Sequence, residues 1–354
     1  MENNNKIKTF DSLSKWFLWF AGFLIVFSFF APNIFIRETI CGIDFTDSGN
    51  IGNTIGGIMG PFIALAGIVL TFLAFYVQLK ANERLSMEIE QQKIQFKKNQ
   101  IENQFYEMLK FHKENVNELT ITLFEVDFNV DDSLCGKKTF QKLEGRKIFP
   151  YLRNELEILY QLNKKIYADE NPDLWIQKSY YAFFYGMESV TDKKEKEILL
   201  KIQHAINENN QPLFNNILEK DEIKGQFFRY DHFRGYFNSF EFYYRYLYRT
   251  VKFIVNQEEE VINYSEKRNY LRLLRAQLSN IEQVMLFYNW KSDIGNNWEN
   301  TENKFFTDYR MIHNIDDTLL IDDFKLTKIF TNLNYQKERD NDTLFEFQHN
   351  KLNN

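Results

Sequence analysis

Five histidines and two cysteines, Cys41 and Cys135, are all this chain offers for imidazole or thiol chemistry. Two of the histidines follow an arginine by one helical turn: Arg229 with His232, and Arg310 with His313. At that spacing a guanidinium and an imidazole share a helix face, where they can grip and cleave a phosphodiester. These four are the candidate catalytic residues. Asp131 and Asp132 form a carboxylate pair, but no His, Cys or third carboxylate stands at a useful spacing, so a solvated loop is expected there and no metal. HExxH, CxxC, GxxxxGK[ST], GxSxG and GxGxxG are all missing, which argues against zinc, P-loop nucleotide hydrolysis, the common acyl-transfer motifs and a dinucleotide cofactor. No cofactor is expected.

The elements that would have to position these residues are unevenly built. Over 354 residues, 43 Lys+Arg oppose 49 Asp+Glu, for a net charge of -6. That balance removes the electrostatic attraction on which nucleic-acid affinity usually rests, so nucleic acid is an unlikely partner. Mean hydropathy is -0.45, the value of an ordinary soluble protein, yet the polar residues are segregated. Trp16 to Ile36 and Ile55 to Leu79 each run without a single charged side chain. Roughly 20 apolar residues at ~1.5 Å each cross a ~30 Å hydrocarbon layer, so two transmembrane helices are expected at 16–36 and 55–79. The first run is too long and too rich in Phe and Trp for a cleaved signal, and no small-residue cleavage pattern follows it.

Lys6, Lys8 and Lys15 precede the first span, and Lys80, Arg84, Lys93, Lys97 and Lys98 follow the second. The connecting segment 37–54 has only Arg37, beside Glu38, Asp44 and Asp47. Lysine and arginine stay on the cytoplasmic side, so both termini are expected there, with the short loop outside. Cys41 and Cys135 then lie on opposite sides and cannot pair. Within the second span Gly52, Gly56, Gly60 and Ala64 recur every four residues, a face of small side chains that lets another helix approach closely. It is expected to pack against the first span of the same chain or against a second copy. No ionisable residue sits in either span, which argues against a proton relay.

From Lys80 to about residue 120 there is neither Gly nor Pro, so a stalk helix is expected to continue from the second span. Its stripe is thin at first (Leu85, Ile89, Phe96) and then dense (Phe105, Leu109, His112, Val116, Leu119). On that stripe His112 reads as a core histidine. Residues 121–335 should form a mainly helical body. Two stripes within it alternate steps of four and three: Phe233, Phe237, Phe240, Tyr244, Leu247, Val251, Ile254, and Leu271, Leu274, Leu278, Ile281, Met285, Tyr288. They predict a helical hairpin with coiled-coil-like packing across a polar linker. Strand evidence is thin, with one weak candidate at Leu123 to Val130. Residues 336–354 read as a polar tail. The fold class is all-α: two spans, a stalk and a helical cytoplasmic domain.

Several segments together resemble the bacterial putative phage abortive infection family, the AbiC-like membrane proteins. The resemblance begins at GGIMGPFIALAGIVL in the second span and passes through ENQFYEMLKFHKENVNEL, LEGRKIF and SYYAFFYG. It is strongest in YYRYLYRTVKFI and YLRLLRAQLSNIEQVMLFYNW. The last block holds Arg275, Gln277, Asn280 and Glu282, a polar cluster that is either functional or a hydrogen-bond network fixing helix packing. The chain departs from the family where Trp290 replaces a common glycine, and in DHFRGYFNSFEF before Tyr244. The resemblance implies antiviral defence by abortive infection at the bacterial inner membrane, without supplying a catalytic set. The expected protein is a non-enzymatic effector, assembled as a homo-oligomer in the lipid bilayer, that perturbs the membrane when a phage-derived trigger reaches its body. The alternatives are a membrane-tethered scaffold serving a second defence protein, and a helical, HEPN-like ribonuclease. The Arg–His spacing is shorter than the four to six intervening residues of that last motif.

Overall fold

The computed structural model describes residues 2–35, 48–127, 137–207, 233–331 and 333–347. They divide into two compact units, Met1–Gln95 and Phe96–Asn354. The division falls inside one helix rather than at a linker.

In the first unit α1 (Glu2–Phe35) and the start of α2 (Ser48–Glu118) lie together. On α1 Ala21, Leu24, Ser28 and Ala31 are buried at steps of three, four and three, with Pro32 beside them, and on the start of α2 Ala66 and Leu73 are buried. Phe17 meets Phe72 and Phe27 meets Phe62 edge-on, with ring centroids 6.2 and 5.1 Å apart. Two polar side chains in these helices bond their own backbone: Ser28 Oγ donates to the Ile25 carbonyl at 2.7 Å and Thr71 Oγ1 to that of Gly67 at 2.8 Å. Large apolar side chains point outward around them, with Trp19 82% exposed. By length and composition, α1 over Lys15–Ile34 and α2 from Ile55 onward could each cross a membrane.

α2 continues as one helix to Glu118, so the expected stalk and the second span are a single element. Its thin stripe stays exposed at Leu85, Ile89 and Phe96, and its dense stripe is buried at Phe105, His112, Val116 and Leu119. The helix ends in an antiparallel hairpin, β1 (Thr120–Asp127) and β2 (Lys137–Glu144), with Phe124 opposite Phe140. The sequence predicts a loop over most of this stretch, with one weak strand candidate. Cross-strand pairing, which no single strand reveals, makes the difference. The Asp131–Asp132 pair lies outside the described residues. After β2, Gly145 turns at φ 66° and its amide donates to the Leu119 carbonyl at 2.9 Å, which ties the hairpin base to the end of α2.

The body is α3 (Phe149–Ile166), α4 (Pro172–Tyr185), α5 (Lys193–Asn207), α6 (Phe237–Val255), α7 (Tyr264–Arg275), α8 (Asn280–Lys291) and a single turn, α9 (Leu326–Ile329). α3, α4 and α8 pack on one another, and the rings of Phe149, Phe183, Phe240 and Tyr243 meet at the centre. Gly186 and Gly235, at φ 89° and 86°, cross backbone to backbone. Met187 N donates to the Phe233 carbonyl at 2.7 Å and Tyr236 N to that of Phe184 at 2.8 Å. Beneath this crossing the fully buried Glu155 accepts the Phe233 amide at 3.0 Å and the Tyr236 hydroxyl at 2.8 Å.

The expected hairpin is three helices. The second apolar stripe is cut at Ala276–Ser279, because Ser279 caps α8: its Oγ accepts the Glu282 amide, and Glu282 Oε2 accepts the Ser279 amide at 2.7 Å. Residues 336–347, expected as tail, are packed, with Leu344 and Phe345 buried. They form a strap over the body, held by the contacts described next.

Candidate functional site

Glu282 is fully buried, and three elements converge on it. Besides capping α8, its carboxylate takes an ion pair from Arg146 Nε at 3.1 Å and the Tyr243 hydroxyl at 3.3 Å. Arg146 comes from the turn Gly145–Ile148, which packs directly before α3, and it also donates to the Gln277 carbonyl. Tyr243 sits on α6, and burial together with the Glu282 charge pushes its phenol well above the ordinary value. Beside it, His112 of α2 lies 5.5 Å away ring to ring, fully buried, with no hydrogen-bond partner at either nitrogen. Burial, and then the nearby Arg146 charge, push this imidazole down to about 4, so it is neutral at neutral pH. Both Glu282 oxygens are engaged, which makes this a latch between the 3-10 turn, α6 and α8 rather than an open reaction centre.

The four residues of the polar block do not form one constellation. Glu282 is the buried hub, and Gln277 joins it only through its carbonyl. Asn280 is exposed. Arg275 points elsewhere and donates from Nη1 to the Arg310 carbonyl at 2.8 Å. Burial, then Arg268 and Arg272, lower the Arg275 guanidinium to about 10.

Arg310 and His313 do lie near each other, and both serve the C-terminal strap. Arg310 is fully buried at a positive φ of 59°. Its Nε donates to the Thr343 carbonyl at 3.2 Å and its Nη2 to the Gln336 carbonyl at 3.3 Å and to Asp342 at 3.0 Å, while the Tyr335 ring covers the guanidinium. Arg268 completes the clamp with two bonds to Asp342, at 2.9 and 3.3 Å. His313 Nδ1 lies 2.8 Å from the Leu344 carbonyl. A carbonyl can only accept, so Nδ1 carries the proton and Nε2 is the acceptor. The other Arg–His pair, Arg229 and His232, lies outside the described residues. No cluster of three or more His, Cys, Asp or Glu side chains able to hold a metal ion occurs among the described residues.

In the first unit, Gly52, Gly56 and Gly60 have no atom within 4 Å of where a Cβ would stand, and Ala64 is exposed. Their face of α2 is open, whereas α1 packs around Phe62, Ala66 and Leu73.

Three features escape a reading of the sequence: Glu155, the Gly186–Gly235 crossing and the strap. Ser279-Asn280-Ile281-Glu282 and Asn263-Tyr264-Ser265-Glu266 are legible capping boxes that locate the helix breaks. Nothing local signals that Glu155 serves residues 78 and 81 positions downstream.

No curated protein and no solved structure matches the chain. The two blocks of strongest resemblance, on α6 and across α7 and α8, lie inside a family match that also takes in residues 292–319. Residues 235–319 match the putAbiC model, described as a putative phage abortive infection protein.

Proposed function

We propose that this protein is a membrane-anchored antiphage effector that acts by abortive infection, without an enzymatic step of its own. α1 and the apolar part of α2 cross the bacterial inner membrane, and both termini lie in the cytoplasm. Copies associate through the α2 face that carries Gly52, Gly56, Gly60 and Ala64. A phage-derived trigger acts on the helical body, α2 passes the change to the spans, and the membrane loses its barrier.

The single observation that carries this reading is the open glycine face. In lipid, apolar attraction between helices is no stronger than to the acyl chains, so small residues matter by allowing close backbone approach. The first span leaves that approach unused. Support also comes from α2, which is a single helix from Ser48 to Glu118. The nuclease alternative gains nothing from Arg310, which is fully buried and holds the strap through Nε and Nη2.

The deciding measurement is membrane potential in infected, protein-producing cells, followed with a potential-sensitive dye. Depolarisation is expected before phage progeny mature. Gly56→Leu and Gly60→Leu should insert normally, yet abolish both depolarisation and protection. Full polarisation while infection still aborts would sink the proposal and leave the killing step to a second defence protein.

A further inference from the structure

The sequence of α6 gathers rings and charge on one face. Phe237, Glu241, Tyr244, Arg245 and Tyr248 follow at steps of four, three, one and three, and all five line a cavity of about 290 Å³. The cavity lies wholly within the second unit. The end of α4 adds Phe184 and Tyr185, α8 adds Asn289, and the turn after α8 adds Gly295 and Trp298. The volume sits just below the roughly 300–1,000 Å³ usual for drug-sized ligands, so the cavity suits one small ring system.

Three observations define what fits there. First, rings from three elements line it. Tyr185 stacks on Phe237 with centroids 5.4 Å apart, and Tyr248 meets Trp298 edge-on at 5.4 Å. Such walls favour a planar ligand that can lie against a ring. Second, its charges cancel. Glu241 and Arg245 are the only charged side chains in the lining, and Glu241 Oε1 pairs with Arg245 Nη2. Neither makes a further ion pair or hydrogen bond among the described residues, so Oε2 can still accept and the other guanidinium N–H groups can still donate. Third, Asn289 brings a buried acceptor with no donor. The residue is 3% exposed and its Nδ2 donates to the Tyr180 hydroxyl at 3.2 Å, while its Oδ1 accepts from no described residue. Gly295 keeps that oxygen uncovered: its amide donates to the Asn289 carbonyl at 2.9 Å, and a Cβ in its place would collide with Oδ1. A buried oxygen left without a donor is costly, and a ligand N–H removes the cost.

A ligand that answers all three is flat, neutral, and carries N–H donors beside a carbonyl. We propose that this cavity binds the guanine base of a nucleoside. Its N1–H and N2–H groups donate to Glu241 Oε2 and Asn289 Oδ1, and its O6 accepts from Arg245. Adenine has no carbonyl to offer Arg245, and a single pyrimidine ring covers less of the aromatic wall. Guanosine and GMP present the same base. The lining assigns guanosine, because the one guanidinium is already balanced by Glu241 and leaves no net positive charge for a phosphate. The proposal does not rest on the membrane reading, because its readout is binding to the isolated protein.

Titration calorimetry on the full chain in detergent, with guanosine, GMP, adenosine and N-acetyltyrosinamide, tests it. Guanosine should bind, GMP should bind no more than about threefold tighter, and adenosine about tenfold more weakly. N-acetyltyrosinamide, a neutral ring on a peptide unit, should bind at least about tenfold more weakly than guanosine. Glu241→Gln and Arg245→Ala each break only a solvent-accessible pair on α6, so both should keep the wild-type melting curve. Each should weaken guanosine about tenfold, and Glu241→Gln should bring guanosine and adenosine to similar affinity. No heat from guanosine, or undiminished binding by both variants, overturns the assignment. So does adenosine or N-acetyltyrosinamide binding as tightly as guanosine, or GMP binding far more tightly, which would make this a peptide-side-chain or phosphate site instead.

Discussion

The glycines of the two units do opposite jobs. Gly56 and Gly60 stand on a regular helix with nothing within 4 Å of their missing Cβ positions. At Gly186 and Gly235 a Cβ would lie 2.5 Å from the Arg234 carbonyl oxygen and from the Gly186 amide nitrogen respectively, and both residues turn at positive φ. In the body, glycine is required by contacts already made within one chain. In the anchor it keeps open a contact that one chain does not make. Aromatic residues show the same division. Trp19 and Phe75 are 82% and 68% exposed, whereas Phe105, Phe149 and Phe183 are fully buried. On the proposed reading, the exposed rings of the first unit face lipid and escape water as buried rings do in a protein core, so one composition suits two surroundings.

The contrast is broken most severely at Gly235. Gly235→Ala should destabilise the body by about 3 kcal/mol or more, since both backbone strain and a backbone clash oppose it. Gly60→Ala should stay within about 1 kcal/mol, and alanine's better helix propensity should if anything help. Thermal melts in detergent, followed by near-ultraviolet circular dichroism, check the pair. Equal costs would show that the anchor face is already packed.

Next in size is Glu282→Ala. It removes a helix cap and leaves Tyr243 and Arg146 without their buried acceptor, an expected loss of about 3 kcal/mol. The first unit should keep its helicity, because Glu282, Arg146, Tyr243 and Ser279 all lie in the second unit. Far-ultraviolet dichroism retained after the near-ultraviolet signal has gone is the expected signature.

A pH titration sharpens the comparison further. The ordinary imidazole value is 6.5, and His112 lies at about 4 in the folded body, so the unfolded chain binds the proton more readily between those values. The stability contributed by the neutral ring is present above about pH 6.5 and is lost as pH falls toward 4, up to about 3 kcal/mol. His112→Leu should flatten this dependence of the body's unfolding free energy. An unchanged slope in that variant would assign the dependence to other groups.

The smallest effect is expected along the exposed part of α2. Leu85→Glu and Ile89→Glu should change stability by less than about 0.5 kcal/mol, because both side chains are exposed and lose no buried surface. If copies associate along this stripe as a coiled coil, sedimentation of these variants will instead reveal a smaller particle.

Much of the fold is legible in the order of residues alone. Two charge-free runs announce α1 and the first part of α2, since an ordinary soluble helix does not carry so long an uncharged stretch. The steps of four and three from Phe105 to Leu119 and from Phe240 to Ile254 recur as buried faces of α2 and α6. Periodicity reports which face a helix hides, and it does so from neighbouring residues alone. The same signal misleads at Leu271–Tyr288, where an apolar stripe runs in register across a break made by Ser279 and Glu282.

The family match over residues 235–319 falls where sequence resemblance is strongest, yet the polar residues that mark it separate in space. Glu282 joins Arg146 and Tyr243, Arg275 joins Arg310, and Asn280 faces outward. Sequence patterning settles where the apolar surface lies, because hydrophobic periodicity is local and repeats every turn. What the buried charges hold is settled by tertiary packing instead. Glu155 meets backbone across the Gly186–Gly235 crossing, and Arg310 clamps a strap more than twenty positions away. A charge removed from water needs a partner of fixed geometry, and folding can bring that partner from anywhere in the chain.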